Sequence, residues 1–216
     1  GPFLPGIKIV AYDDLDAIKT AITPNTAAIM LEPIQGEAGI IMPCDGYLKK
    51  ISALCKENNI LLICDEIQTG LGRTGKMFAF QHEGIRPDIV TIGKALSGGF
   101  YPVSAVLADA KIMDLFLPGE HGSTFGGNPL AAAVAREALA VIVDEKLVEN
   151  SEKLGEYFID QLSEIPSKHV KEVRGKGLFI GIELKPEAGG ARRFCEALQE
   201  KGILAKETHD NVIRFA

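Results

Sequence analysis

Apolar and polar positions alternate along the first two thirds of the chain in two different periods. Helical spacing of apolar residues predicts helices at three places, namely residues 46–58, 77–82 and 129–143. Continuous apolar runs predict short buried strands at four places, namely residues 26–31, 60–64, 88–92 and 103–107. The third helix should begin with Asn128 as its N-cap and Pro129 as its first residue. Buried strands alternating with helices are typical of an α/β protein with a mostly parallel sheet covered on both faces.

The pattern changes near residue 143. Two amphipathic helices are predicted there, at residues 147–165 and 191–201, together with four strands at residues 170–174, 178–184, 203–206 and 212–215. These strands mix polar and apolar positions, as in a sheet with one solvated face. We therefore expect residues 1–142 to be part of a large domain and residues 143–216 to be part of a smaller α+β domain. The chain lacks an initial Met and stops directly after a strand, so we expect a piece of a longer protein.

Composition excludes several classes of function. The chain has 216 residues, 46% of them hydrophobic, and a net charge of −6 without a basic run, which argues against nucleic-acid binding. No apolar stretch approaches the roughly 18 residues that a membrane span needs. The cysteines show neither C-x-x-C spacing nor paired histidines, so we expect buried reduced thiols, no metal site and an intracellular protein. They are Cys44, Cys55, Cys64 and Cys195.

The chain contains a match to the dinucleotide-binding motif, but the surrounding sequence does not fit such a site. Gly70, Gly72 and Gly75 spell G-x-G-x-x-G in "LLICDEIQTGLGRTG". Such a site needs the first glycine directly at the strand end, a helix opening on the last, and an acidic residue about 20 residues further on. Residues 65–69 intervene here, and no acid follows at the required place. The glycines therefore indicate a turn.

Two charged residues follow buried strands and predict a different cofactor. Asp65 and Lys94 would each be an ordinary loop residue alone, but parallel strands open on one edge, and unpaired charges there are costly. Pyridoxal phosphate satisfies both, because its aldehyde condenses with a lysine and its ring nitrogen needs a carboxylate. "HGSTFGGNPL" offers Ser123 and Thr124, with two glycines, to a phosphate just before the helix at 129.

These motifs identify a resemblance. The chain resembles the class III (ω-amino acid) aminotransferases of the fold-type I pyridoxal-phosphate enzymes, over essentially its whole length. The matching segments are "LEPIQGEAG", "CDEIQTGLGRTG", "PDIVTIGKALSGGFYPVSAVLAD", "HGSTFGGNPL", "VRGKGL" and "THDNVIRFA". The third and the last point, within the family, to the branch that acts on ornithine.

The resemblance implies the role of each site residue. Lys94 would be the Schiff-base lysine and proton shuttle, Asp65 the partner of the pyridinium nitrogen, and Gln68 the contact of the ring hydroxyl. Thr124, beside Ser123, would bind the phosphate of the neighbouring subunit, which implies a homodimer. Glu66 is expected to be structural.

Glu37 and Arg214 complete the expected site. In the family they meet, so that Arg214 either holds a substrate α-carboxylate or is neutralised by Glu37. The implied reaction moves the δ-amino group of L-ornithine to 2-oxoglutarate, in the cytoplasm or the mitochondrial matrix. N-acetylornithine or 4-aminobutyrate as the amino donor, or a non-catalytic truncated chain, are the alternatives.

Overall fold

Two four-stranded sheets organise the chain, in a computed structural model that describes residues 4–216. The first has the order β1-β2-β3-β4. Its strands are β1 (Ala28–Leu31), β2 (Leu61–Asp65), β3 (Ile89–Ile92) and β4 (Ala105–Ala108). The first three run parallel, whereas β4 is antiparallel to β3. The expected mostly parallel sheet is confirmed. The prediction that the fourth strand is buried is wrong, because Val106 is 55% exposed and Leu107 is 43% exposed.

Six α-helices surround the sheets within the described residues. They are α1 (Leu15–Ala21), α2 (Tyr47–Glu57), α3 (Ala110–Met113), α4 (Pro129–Asp144), α5 (Leu147–Glu164) and α6 (Arg192–Gln199). Asn128 caps α4 as predicted, accepting the Ala131 N–H at 2.9 Å. The predicted helix at 77–82 is a 3₁₀-helix, Ala79–Glu83. Helix α1 was not predicted, although Asp14 caps it by accepting the Ala17 N–H.

The core of the first sheet lies on one of its faces. Leu62 and Cys64 of β2 point to that face, where Ile51 and Cys55 of α2 pack with them. Alternation places Asp65 on the opposite face, because successive side chains of a strand point to opposite sides. Met30, which pairs with Ile63 on that opposite face, is 59% exposed.

The second sheet is antiparallel throughout and has the order β5-β6-β8-β7. Its strands are β5 (Val170–Lys176), β6 (Phe179–Leu184), β7 (Lys206–Thr208) and β8 (Val212–Phe215). The prediction of a strand at 203–206 is wrong, because the pairing of β7 with β8 begins only at Lys206. Central strand β6 is buried at five of its six positions, so it has no solvated face.

A tight joint connects α5, the turn before β6 and the loop after β2. Ser151 Oγ donates to the Arg73 carbonyl at 3.0 Å and accepts the Leu178 N–H at 3.2 Å. Gly155 is required beside it, since a Cβ there would lie 2.1 Å from the Gly177 carbonyl oxygen. This joint holds parts of both expected domains together. The boundary between residues 142 and 143 stays a prediction.

Three thiols are buried, as expected. Cys55, Cys64 and Cys195 are buried, Cys44 is exposed, and all four are free. Burial raises the pKa of the Cys55 thiol to about 11, which keeps it protonated at neutral pH. Within residues 4–216, no helix has both the length and the apolar character that crossing a bilayer requires. The intracellular location stays a prediction.

Candidate active site

Three loops meet where the parallel strands β1, β2 and β3 end. They carry Glu37, Gln68 and Lys94 into the lining of one cavity of about 790 Å³. Arg214 of β8 enters the same cavity from the second sheet. A second cavity of about 680 Å³ adjoins the first at Lys94 and extends to the turn before α4. The three parallel strands thus end at one edge of the sheet, and the loops that follow them line this cavity. Asp65, at the end of β2, lines neither cavity.

Asp65 ends β2 with one carboxylate oxygen engaged locally. Its Oδ1 accepts the Ile67 N–H at 3.0 Å, and no residue of the range 4–216 hydrogen-bonds to its other oxygen. Thr91 of β3 is the register partner of Asp65. The Thr91 Oγ1 atom is buried and has no hydrogen-bond partner within residues 4–216. Buried polar atoms normally find partners. A carboxylate and an unpaired hydroxyl on one sheet face therefore fit a bound polar group.

Lys94 follows β3 in a strained backbone conformation. Its φ of 42° is in the left-handed region, which a residue with a side chain rarely adopts. Such strain persists where the surrounding structure imposes it, and it is concentrated at functional sites. Lys94 is the first residue of a 3₁₀-helix, Lys94–Ser97, and Gly93 is the N-cap of that helix. The exposed side chain lines both cavities, where a lysine amine is accessible to a carbonyl group.

Glu66 has a different task from its neighbour Asp65. It is 1% exposed and accepts hydrogen bonds from the Thr69 hydroxyl and from the backbone N–H groups of Ala79 and Phe80. Burial raises the pKa of this carboxyl group above its usual value, against the lowering effect of those bonds. The side chain thus fastens the loop after β2 to the 3₁₀-helix at 79–83. This geometry supports the expected structural role.

Gln68 is packed between the two sheets. Its Oε1 lies 3.4 Å from Nη1 of Arg214. A Cβ on Gly36 would approach the same Oε1 to 2.6 Å, so a larger residue there would displace the end of the Gln68 side chain. The Gln68 side chain is thereby held at the edge where Lys94 and Arg214 line the cavity.

Glu37 and Arg214 form the expected ion pair across 177 positions of sequence. Arg214 Nη1 donates to Glu37 Oε1 at 2.8 Å. The hydrogen bond from Arg214 is the main reason why the pKa of the Glu37 carboxyl group lies below its ordinary value. A second cation, Lys206, lies 3.3 Å from Glu37 Oε2. The pair is partly solvated, because the Glu37 side chain is 57% exposed and that of Arg214 13%.

The backbone around Glu37 is anchored to the second sheet. The Thr208 hydroxyl donates to the Glu37 carbonyl, and Arg174 donates to the carbonyls of Gly39 and Ile40 at 2.8 Å. Arg174 also pairs with Glu183, so it joins the loop to β5 and β6. The loop that carries Glu37 is therefore held independently of the Glu37 side chain.

Ser123 and Thr124 are not brought to Lys94 of the same chain. Both are exposed, and neither lines a cavity that Lys94 lines. Ser123 Oγ instead accepts the Gly126 N–H at 3.0 Å within its own turn. The segment 125–128 does line the second cavity. Phosphate binding by Ser123 and Thr124 stays a prediction.

Two residues of this site were missed from the sequence. Lys206 and Thr208 are alternate residues of β7, so they share one face of the strand. Lys206 is the register partner of Arg214. The segment "KETHDNVIRF" has the pattern of two short strands joined by a turn, which would have placed Lys206 and Thr208 opposite β8. The predicted strand at 203–206 ended too early to include Thr208.

Comparison with known proteins places this geometry among relatives. The family described as "Aminotransferase class-III" matches residues 2–216. The curated ornithine aminotransferase of Bacillus subtilis (strain 168) is 59% identical over 216 residues, which are 100% of this chain and 53% of the relative. The chain thus spans about half the length of the curated relatives that it matches.

Solved structures agree with this match. The ornithine aminotransferase of Toxoplasma gondii ME49 is 49% identical with a TM-score of 0.96, covering 100% of this chain and 52% of that one. An acetylornithine aminotransferase from Elizabethkingia anophelis is 50% identical with a TM-score of 0.93, covering 100% and 55%. The likeness therefore includes both the fold and the site-bearing segments.

Proposed function

This chain belongs to the class III aminotransferases, and from that premise we propose that the complete protein transfers the δ-amino group of L-ornithine to 2-oxoglutarate. The products would be glutamate 5-semialdehyde and glutamate. The observation that carries the proposal is that Gln68 and Lys94 line one cavity together with the ion-paired Glu37 and Arg214. Asp65 lines neither cavity, but it ends β2 directly before the loop that carries Gln68. The curated relatives named above as ornithine aminotransferases support the choice of substrate.

Class III aminotransferases use pyridoxal 5′-phosphate. When bound, this group supplies an aldehyde that accepts the amine and a ring that withdraws the electrons of a broken C–H bond. Lys94 would hold it covalently through Nζ, and the free oxygen of Asp65 would retain a proton on the ring nitrogen. Gln68 would contact the ring hydroxyl. Ser123 and Thr124 would bind the phosphate.

Lys94 would act a second time as an acid and base. Lys94 lines both cavities, so its amine would be available there whenever it is not bonded to the cofactor. From there it can take the proton from the carbon that bears the amino group and return it at the accepting carbon. Proton transfer by a positioned side chain contributes typically about 10²–10⁴ in rate.

The pair of Glu37 and Arg214 would solve a problem of orientation. Ornithine must present its δ-amine at the site, whereas glutamate must present its α-amine. A free Arg214 would bind an α-carboxylate and place the α-amine for reaction, which suits glutamate and not ornithine. Glu37 neutralises Arg214 while ornithine reacts, and a dicarboxylate displaces it. Since the pair is partly solvated, it is worth about 1 kcal/mol or less and can open.

Glu37→Ala should therefore slow the half-reaction with ornithine and leave the one with glutamate equal or faster. Arg214→Ala should do the reverse, because glutamate loses its anchor. The ratio of the ornithine rate to the glutamate rate should change by about tenfold in Arg214→Ala, the size of roughly one charge-assisted hydrogen bond. In Glu37→Ala it should change by about fivefold or less, the size of an exposed ion pair. Single-turnover absorbance changes of the complete protein measure each half-reaction separately. Equal slowing of both half-reactions in both variants would make the pair a structural salt bridge only.

We propose further that the complete protein is a homodimer. Large apolar side chains are exposed around the turn that carries Ser123, namely Phe100, Leu115, Phe116, Leu117 and Phe125. Exposed apolar clusters of this kind mark interfaces. Since Ser123 and Thr124 miss the Lys94 cavities of their own chain, a second copy seated there would bring them to its site.

Mixed dimers test this arrangement. A chain with Lys94→Ala and a chain with Thr124→Ala should each be impaired alone. In a mixed dimer with shared sites, both changes meet in one site and the other site is intact. Co-expressed chains with two different tags, purified in sequence, should thus regain about half of the wild-type turnover per dimer. No gain over the Thr124→Ala protein would place Thr124 in its own chain's site.

Amino-donor preference tests the reaction itself. The purified complete protein, supplied with pyridoxal phosphate and 2-oxoglutarate, should form glutamate fastest with L-ornithine. N-acetylornithine and 4-aminobutyrate are the matched competitors. A higher kcat/KM for N-acetylornithine would assign the protein to the reaction named for the Elizabethkingia anophelis relative.

A further inference from the structure

The second oxygen of Glu37 is already occupied. While Oε1 accepts from Arg214, Oε2 lies 3.3 Å from Nζ of Lys206. Lys206 is itself 61% exposed, in contrast to the 13% exposure of Arg214. The carboxylate therefore sits between an inner cation that faces the cavity and an outer cation that faces solvent. Only the inner one lines the cavity of Lys94.

The two cations are neighbours in the sheet. Lys206 of β7 and Arg214 of β8 are register partners in an antiparallel pair, so their side chains project from the same face. Like charges directly opposite each other destabilise a strand pair. Glu37 offsets this repulsion as long as it bridges them. When it leaves one cation, the other is close enough to keep it.

The loop allows the carboxylate to move without moving the backbone. The hydroxyl of Thr208, two residues along β7 from Lys206, donates to the Glu37 carbonyl, and Arg174 donates to the carbonyls of Gly39 and Ile40. None of these bonds uses the Glu37 side chain. A rotation about its side-chain bonds is thus sufficient to break the contact with Arg214.

We propose that Lys206 is a specificity-determining residue that holds Glu37 in its displaced position when a dicarboxylate takes Arg214. The inference rests on the proposed function of the Glu37–Arg214 pair and adds the place to which Glu37 goes. In the closed arrangement, Glu37 bridges both cations. In the open one, Lys206 alone balances the Glu37 charge, while the substrate carboxylate balances Arg214.

Loss of Lys206 should act unequally on the two arrangements. Without it, closed Glu37 keeps its contact with the less exposed Arg214, whereas open Glu37 has no counter-charge. The closed arrangement is then favoured, which suits ornithine and opposes glutamate. An exposed ion pair changes an equilibrium by about 1.5- to 5-fold, so this is the size of effect to look for.

Binding of glutarate, a dicarboxylate without an amine, isolates the effect from turnover. In the complete protein loaded with cofactor, Lys206→Met should raise the Kd for glutarate by about 2- to 5-fold in calorimetry. Lys206→Arg should restore wild-type affinity. Lys201→Met is the matched control, since Lys201 is exposed and makes no ion pair within residues 4–216. It should change the Kd by less than about 1.5-fold.

A double variant shows whether Lys206 acts through Glu37. In a Glu37→Ala background, Lys206→Met should no longer change the Kd for glutarate. An undiminished effect there would mean that Lys206 attracts the ligand directly and would overturn the proposal. So would equal losses in the ornithine and glutamate half-reactions, which a structural role predicts. Failure of the proposed function is separate: it would appear as absent ornithine turnover in the wild-type protein, whatever the glutarate result.

Discussion

Replacing Lys94 with alanine should reduce turnover of the complete protein by at least about 10⁴-fold. The variant loses both the amine that bonds with the cofactor and the group that carries the proton, and the second alone is worth about 10²–10⁴. The fold should tolerate the change, because the Lys94 side chain is exposed and makes no hydrogen bond within the described part of the chain. Cofactor should still bind through the remaining contacts.

Two further variants make this result specific. Lys94→Arg keeps the positive charge but has no nucleophilic amine at neutral pH, so it should be as inactive as Lys94→Ala. Lys56→Ala, on the exposed surface of α2, should be fully active. Borohydride treatment followed by peptide mass spectrometry should find the reduced cofactor on Lys94 in the wild-type protein. Its recovery on another lysine would refute the assignment.

Replacing Asp65 with asparagine should cost about 10²–10³ in kcat, the usual effect of losing one preorganised electrostatic partner. Asparagine keeps the shape and can still accept the Ile67 N–H that Asp65 Oδ1 now accepts at 3.0 Å. It cannot balance a proton on the ring nitrogen. Asp65→Ala should in addition weaken cofactor binding, whereas Asp65→Glu should be milder, with its charge misplaced.

The Asp65→Asn variant should be tested for both thermal stability and kcat, so that a loss of activity can be distinguished from a loss of folding. Thermal unfolding of Asp65→Asn without added cofactor should stay close to wild type, because its charge makes no ion pair among residues 4–216. Asp45→Asn, an exposed carboxylate before α2, is the matched control and should not affect kcat. A rate for Asp65→Asn within threefold of wild type would remove the carboxylate from the proposed chemistry.

The adjacent carboxylates Asp65 and Glu66 at the end of β2 show which features could be predicted from the local sequence pattern and which could not. Alternation along a strand puts Asp65 on the face opposite to the buried Cys64, and the parallel neighbour β3 brings Lys94 to the same edge. Both were predictable, because side-chain alternation is a local property and the alternation of buried strands with helices indicates parallel strands. The bonds of Glu66 to Thr69, Ala79 and Phe80 were not, since they depend on how the following loop folds back.

The antiparallel course of β4 had no local signal either. Its apolar run at residues 105–108 has the composition of a buried parallel strand, yet Val106 and Leu107 are exposed in the described part of the chain. Residues 93–104 connect β3 to β4 and contain a 3₁₀-helix but no α-helix. A connection of this length is compatible with either strand direction, so the direction is seen only in the pairing of β4 with β3. Helix α1 is a different kind of miss, because its Asp14 cap was a readable signal.

The sequence by itself determined the parallel strands, the capped helix α4 and the chemical identity of Lys94 and Asp65 at the strand ends. Periodicity and capping involve neighbours in the chain, so they can be derived from it. Only the tertiary structure decided that Lys206 joins Glu37 and Arg214, and that Gly36 leaves room for Gln68. The contacts of Glu37 join a loop of the first sheet to two strands of the second, and the contact of Gly36 joins two loops of the first sheet, so all of them depend on how distant segments pack.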